Sequence, residues 1–268
     1  MSRNNYKCKT SGLSMQAKKG QVAIFVIIAI VIVGAILLIF LYPKIPILSQ
    51  NSELSPVAYL KSCITPEINK DVLLLSKNGG YANPEGVLDY QGDKIKYLCY
   101  TSEYYKTCVV QQPLIKEHFE QELNTLVQSK VNDCVQSLKQ EYINRGYDIT
   151  LGNIESKTSI NPDNILVSIT SPITVSKAGA SQTFNGFDVQ IGSKMYDLLM
   201  ITVSIIDYES TLGDSETTLY LQYYPDLKIE KVKLSDGSKV YTLTDVVSDE
   251  SFRFASRSLA WPPGYGGA

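Results

Sequence analysis

The sequence predicts an α+β fold: one N-terminal transmembrane helix carrying an extracytoplasmic domain of two or three helices on an antiparallel sheet. Three observations predict it. Val22 to Tyr42 is an uncharged run of 21 residues. Two later stretches, 55–77 and 113–145, repeat apolar residues every three or four positions. From residue 154 the apolar period changes to two, and short turns separate the segments.

The first run sets the topology. At ~1.5 Å per residue it makes a helix of about 31 Å, one hydrocarbon core. A cleavable secretory segment is shorter, about 7–15 apolar residues, and ends in a small-residue site. This run ends in Leu41-Tyr42-Pro43-Lys44, residues suited to a membrane interface. Residues 1–20 hold Arg3, Lys7, Lys9, Lys18 and Lys19 and no acid, which keeps the N-terminus cytoplasmic and places the remainder outside. The organisation that follows is a basic leader (1–20), a transmembrane helix (21–43), a tether (44–54), an α+β domain (55–210), a β-rich portion (211–260) and a flexible tail (261–268). Removing the five leader bases from 25 leaves 20 bases against 27 acids outside. That acidic balance argues against nucleic acid as a partner, because phosphates need a basic footprint.

The helices follow from caps and stripes. Ser55 caps the first, Pro56 suits its first turn, and Val57, Leu60, Ile64, Ile68, Val72 and Leu75 form its apolar stripe. Pro66 is expected to kink this helix, or to restart it with Thr65 as cap. Asn78-Gly79-Gly80 stops it. The longest helix carries Ile115, Phe119, Leu123, Leu126, Val131, Cys134, Leu138 and Tyr142 on one face and ends at Gly146. Residues 194–210 fit a helix through Met195, Leu198, Leu199, Thr202, Ile205 and Ile206, although their β-branched cluster would also suit a strand.

The strands follow from alternation. Residues 94–110 read as a hairpin around a polar centre. Residues 154–160, 165–177 and 187–191 read as an antiparallel meander, with Pro172 requiring an edge or a bulge. Asp236-Gly237 turns a hairpin between 226 and 244. A last strand, 251–260, sets Phe252 and Phe254 opposite Arg253 and Arg257.

Cys8 lies in the leader, leaving Cys63, Cys99, Cys108 and Cys134 in an oxidising compartment. Four cysteines allow three pairings. Cys99–Cys108 and Cys63–Cys134 are favoured, against the alternative of four free buried thiols.

Little in the sequence carries chemistry. His118 is the single histidine, and no G-x-S-x-G elbow supplies a serine for it to activate. It reads as a packing residue. Glu117, Glu120 and Glu122 suit the positive end of a helix dipole better than a metal site. The segments 213–216 and 248–251 lack the order of a calcium loop. No catalytic residue, metal ligand or cofactor is assigned. Eighteen tyrosines are the compositional oddity. Tyr97, Tyr100, Tyr104 and Tyr105 cluster around the first hairpin as a candidate contact surface, since tyrosine gives large amphipathic contact area.

Lys18-Lys19-Gly20-Gln21 followed by VAIFVIIAIVIV resembles the class III signal peptide of archaeal type IV pilin-like proteins. The resemblance implies cleavage between Gly20 and Gln21, and partners that are pilin-like subunits or other envelope proteins as well as the lipid bilayer. YLKSCI…LLLSKNGGY, NDCVQSL and FRFASRS resemble a group of uncharacterised single-anchor archaeal surface proteins. That second resemblance supports pairing Cys63 with Cys134 and makes Cys99 and Cys108 local additions; it supplies a topology and no activity. Pro43 and Pro46 interrupt the helix where a pilin spine would continue into its head. The resulting expectation is a non-catalytic anchored surface protein. A processed pilin-like subunit is the alternative, and an envelope enzyme using carboxylates comes third.

Overall fold

The computed structural model describes residues 26–33 and 55–262. Of the expected span 21–43, residues 26–33 are helical (α1), with every side chain exposed. Among the described residues no helix is long and apolar enough to cross a membrane. The leader, the tether and the tail beyond Pro262 lie outside the described residues.

Residues 55–262 form one compact α+β unit. The helix α2 (Pro56–Lys77) starts on Ser55, whose side chain accepts from Ala58 N at 3.4 Å. It runs unbroken through Pro66, so the expected restart at Thr65 does not occur. The Thr65 hydroxyl instead donates to Lys61 O at 2.7 Å, within the same helix. Strands β1 (Val87–Tyr90), β2 (Asp93–Tyr100) and β3 (Val109–Val110) follow, then α3 (Ile115–Asn144). Next come β4 (Asp148–Leu151), β5 (Glu155–Asn161), β6 (Asn164–Lys177) and β7 (Ala180–Gly192). The chain continues through α4 (Met195–Leu212), α5 (Thr218–Tyr223), β8 (Leu227–Lys233), β9 (Ser238–Asp245) and β10 (Ser251–Arg257). Residues 194–210 thus resolve as helix; β1, β4 and α5 are additions to the sequence reading.

The strands form two sheets. In the first, β1, β2, β10, β9 and β8 lie in that order, with β3 also on β2. The pairing of β10 with β2 is parallel, which weaves residues 211–260 into the sheet begun by β1 and β2. In the second sheet β6 is central. It pairs with β7 along one side, and with β5 and then β4 along the other. Pro172 sits where β5 gives way to β4, so its missing N–H interrupts no ladder; the register against β7 also slips there. Pro172 therefore lies at a bulge of a central strand, not on an edge.

One apolar core joins α2, α3 and α4 to both sheets. Leu60, Ile64 and Ile68 of α2, Phe119 and Leu123 of α3, and Leu199 and Ile205 of α4 meet Val167, Leu243, Phe252 and Phe254. Cys63 and Cys134 bridge α2 to α3 with Cα atoms 6.1 Å apart. The free edge of β5 is closed by α3 side chains. Glu120 accepts from Ile160 N at 2.7 Å, and Gln128 accepts from Ser156 N at 2.8 Å while donating to Ile154 O at 3.1 Å. The spacing allows this: four helical residues advance about 6 Å and two strand residues about 6.6 Å.

Asp71 interrupts the buried stripe of α2, between Ile68 and Leu75. Among the described residues its Oδ2 has no hydrogen-bond partner. Burial raises its carboxyl pKa, Lys130 and Lys70 pull it down, and Glu67 adds to the rise. A raised folded-state value means that folding favours the protonated form. Stability is therefore lost as pH climbs through the unfolded value towards the folded one. Asp71→Asn is expected to match the wild type at low pH and to exceed it in denaturant midpoint at neutral pH. Equal midpoints at both pH values would remove Asp71 as a source of instability.

Candidate contact surface

The loop between β2 and β3 is where the sequence placed its one candidate surface. Cys99 and Cys108 close it, with Cα atoms 5.4 Å apart. Its inner side is fastened to the chain leaving β10. Thr101 N donates to Arg257 O (3.1 Å), Tyr105 N to Ala260 O (3.0 Å) and Leu259 N to Lys106 O (2.8 Å). Cys108 N donates to Ser258 Oγ at 2.9 Å, and the Arg257 guanidinium donates to Thr101 O at 2.5 Å and Asp236 O at 3.0 Å.

This fastening holds unusual backbone. Tyr105 and Leu259 have φ of 60° and 47°, a region costing a non-glycine residue about 1–3 kcal/mol. Two glycines make room for the 259–260 segment. A Cβ on Gly213 would fall 2.0 Å from Leu259 Cδ1, and one on Gly237 2.4 Å from Ala260 Cβ. Both glycines have φ of +86°, so each satisfies a turn and a close approach at once.

The result is a row of outward rings. Tyr104, Tyr105 and Trp261 are 43%, 49% and 54% exposed. The Tyr105 and Trp261 rings meet edge-on at 5.0 Å, and the Arg257 guanidinium lies 5.3 Å from the Tyr104 ring. Tyr100 is also exposed, opposite the exposed Val109 of β3. Tyr97 is the half-buried ring of the cluster. Its hydroxyl shares a 2.7 Å hydrogen bond with Ser238 Oγ, and burial raises its pKa. It supports the neighbouring Tyr100 ring, 4.9 Å away.

Beneath the loop lies a polar node that the sequence reading missed. The Glu209 side chain, at the C-terminal end of α4, has no exposed surface. It accepts from Lys239 Nζ at 2.8 Å, Tyr241 OH at 2.5 Å, Ser256 Oγ at 2.8 Å and Ser215 N at 3.0 Å. Ser258 Oγ donates to Glu209 O at 2.6 Å while accepting from Cys108 N, so the node holds the same segment that holds the loop. Lys239 also reaches Gly213 O at 2.6 Å and Asp214 Oδ1 at 3.0 Å. Burial alone would raise the Asp214 carboxyl, but hydrogen bonds from Lys231, Lys233 and Lys239 hold it well below the usual range. Burial, reinforced by the Glu209 charge, pushes the Tyr241 phenol far above its ordinary value and keeps it a donor. One signal pointed here: Glu209 continues the apolar stripe Leu198, Thr202, Ile205 and Ile206 of α4.

The remaining sequence candidates scatter. His118 faces Tyr81 with ring centroids 4.0 Å apart, and burial lowers its pKa. Glu120 caps β5, and Glu122 accepts from Ala82 N at 3.0 Å. Among the described residues no group of three or more His, Cys, Asp or Glu could hold a metal ion. Two clefts measure about 170 Å³, beside Lys194 and Tyr223, and about 270 Å³, beside Glu117 and Asn124. Both fall below the roughly 300 Å³ at which pockets for drug-sized ligands begin. Gly20 and Gln21 lie outside the described residues. Compared with protein-family models, curated proteins and solved structures, this chain has no match.

Proposed function

We propose that the chain is a non-catalytic, membrane-anchored surface protein that binds a partner through Tyr100, Tyr104, Tyr105 and Trp261. The carrying observation is the pre-formed ring surface. A disulfide, reciprocal backbone hydrogen bonds and two left-handed residues hold three large rings towards solvent. Tyrosine, tryptophan and arginine dominate binding hot spots, and a loop ordered beforehand loses little entropy on contact. The anchor is read from the uncharged run Val22–Tyr42. Within it, α1 exposes Val26, Ile27, Ile28, Ile30, Val31, Ile32 and Val33, each at least 49% accessible. A helix apolar on all sides suits lipid.

The test uses full-length protein in lipid nanodiscs and solubilised envelope from the source cells. Wild type is expected to retain an envelope component. The Tyr104→Ala/Tyr105→Ala/Trp261→Ala variant should lose retention at least tenfold, with an unchanged circular dichroism spectrum. Equal retention by folded variant and wild type would move the contact elsewhere.

A processed pilin-like subunit is the second reading, favoured by Lys18-Lys19-Gly20-Gln21 ahead of the apolar run. Intact mass of protein from native membranes separates the two. A start at Gln21 would support processing, and an intact leader would exclude it.

A further inference from the structure

We propose that the cleft between α4 and the link from α5 to β8 binds a guanidinium group on an apolar stem, carried by a free small molecule or by an arginine side chain. The cleft measures about 170 Å³ and is built from three segments. Asp197, Leu198 and Ile201 come from the first two turns of α4, Tyr223 to Leu227 from the link, and Asp245 from the end of β9. Local bonds hold these segments in place. Ser204 Oγ and Tyr220 OH, 2.7 Å apart, fasten α5 to α4. Tyr224 N donates to Tyr220 O, Leu227 N to Tyr224 O and Val246 N to Asp226 O, which fixes the link that presents the two rings. Asp245 stands opposite Leu227 in the β8–β9 ladder.

Charge selects the sign of the ligand. Three aspartates line the cleft against one lysine, Lys194, and that ammonium is already ion-paired with Asp163 outside the lining. Asp245 accepts from Ser248 N and Oγ, both at 2.8 Å. Among the described residues the Asp197 and Asp226 carboxylates accept no hydrogen bond. The three carboxylates do not converge as metal ligands would, so the surplus suits a cation whose charge is spread. The walls narrow the choice further. Tyr223 and Tyr224 are 80% and 47% exposed, and among the described residues no cation lies over either ring, whereas Arg257 already approaches Tyr104. Leu198, Ile201 and Leu227 form a buried apolar floor. A guanidinium is weakly hydrated, stacks on tyrosine and offers parallel N–H donors to a carboxylate, so it matches floor, rings and free acceptors together. A compact, strongly hydrated ammonium matches the carboxylates alone. The larger cleft beside Glu117 has no ring in its lining, and Ser156 and Thr158 already donate to Asn124 there.

The test is a ligand-observed NMR titration of full-length protein in an uncharged detergent. The probes are butylguanidinium, N-acetyl-arginine amide and the neutral isostere N-acetyl-citrulline amide. Both guanidinium probes should bind saturably, and the citrulline compound at least tenfold more weakly. Asp197→Asn/Asp226→Asn and Tyr223→Ala should each weaken guanidinium binding at least tenfold and keep the wild-type circular dichroism spectrum. Equal affinity for the two guanidinium probes would support a free ligand, and a tenfold preference for N-acetyl-arginine amide would support an arginine within a chain. No saturable binding of either by about 10 mM overturns the proposal. So does a citrulline compound that binds as well, or a folded variant of either kind that keeps wild-type affinity. Loss of binding in the Tyr104→Ala/Tyr105→Ala/Trp261→Ala variant also overturns it, because the guanidinium would then sit on the other row of rings.

Discussion

Lys239→Met is expected to lower the unfolding free energy by about 3–5 kcal/mol, the range found when one partner of a buried ion pair is removed. The side chains of Lys239 and Glu209 are 7% and 0% exposed. With the ammonium gone, the carboxylate keeps Tyr241, Ser256 and Ser215 N as donors, yet its charge stays in a low-dielectric interior without a counter-charge. Gly213 O also loses its 2.6 Å donor. An exposed pair supplies the contrast. Lys228 and Glu230, with side chains 57% and 55% exposed, should matter by less than about 1 kcal/mol when Lys228 becomes methionine. Glu209→Gln combined with Lys239→Met removes both charges and should recover part of the loss, giving a coupling energy well above zero in a double-mutant cycle. The measurement is the denaturant midpoint of the full chain. A loss from Lys239→Met no larger than that from Lys228→Met would show the node to be solvated and unimportant.

The node also shows what the sequence could and could not reveal. Helix stripes report burial directly, and so α2, α3 and α4 were legible from Leu60 to Ile206. Glu209 continues the same stripe, although the reading stopped at Ile206, and periodicity names a face and never a partner. Lys239, Tyr241 and Ser256 come from other elements and were invisible. The meander β5–β6–β7 was legible because its turns are short and its alternation long. The parallel insertion of β10 beside β2 was not, since nothing in either strand's pattern encodes a neighbour more than 150 residues away. Four-residue β4 is too short to show a period, and β1 is no longer. At the contact surface, composition found the tyrosine cluster but could not separate supporting Tyr97 from the outward Tyr104 and Tyr105. That distinction rests on Ser238 and on the segment 258–261, which approaches the loop only through tertiary structure.

Loss of the Cys63–Cys134 bridge is expected to lower stability by about 4 kcal/mol, and loss of Cys99–Cys108 by about 2–3 kcal/mol. The difference follows from loop length. The first bridge constrains residues 71 apart in sequence and the second residues 9 apart, and the unfolded-chain entropy removed grows with the logarithm of the loop. Function should rank them the other way. Cys63 and Cys134 join α2 to α3 and lie outside the aromatic loop, whereas Cys108 lies at its base, with its amide on Ser258 and its sulfur 3.9 Å from Ser256 Oγ. Cys63→Ser/Cys134→Ser should therefore shift the denaturant midpoint more and leave envelope retention unchanged under folding conditions. Cys99→Ser/Cys108→Ser should shift it less but weaken retention, because Tyr104 and Tyr105 lose the brace that orders them. Equal midpoint shifts would reject the loop-entropy account of the first bridge. Full retention after removing the second would mean that the hydrogen bonds to Arg257, Ser258 and Ala260 suffice to hold the rings outward.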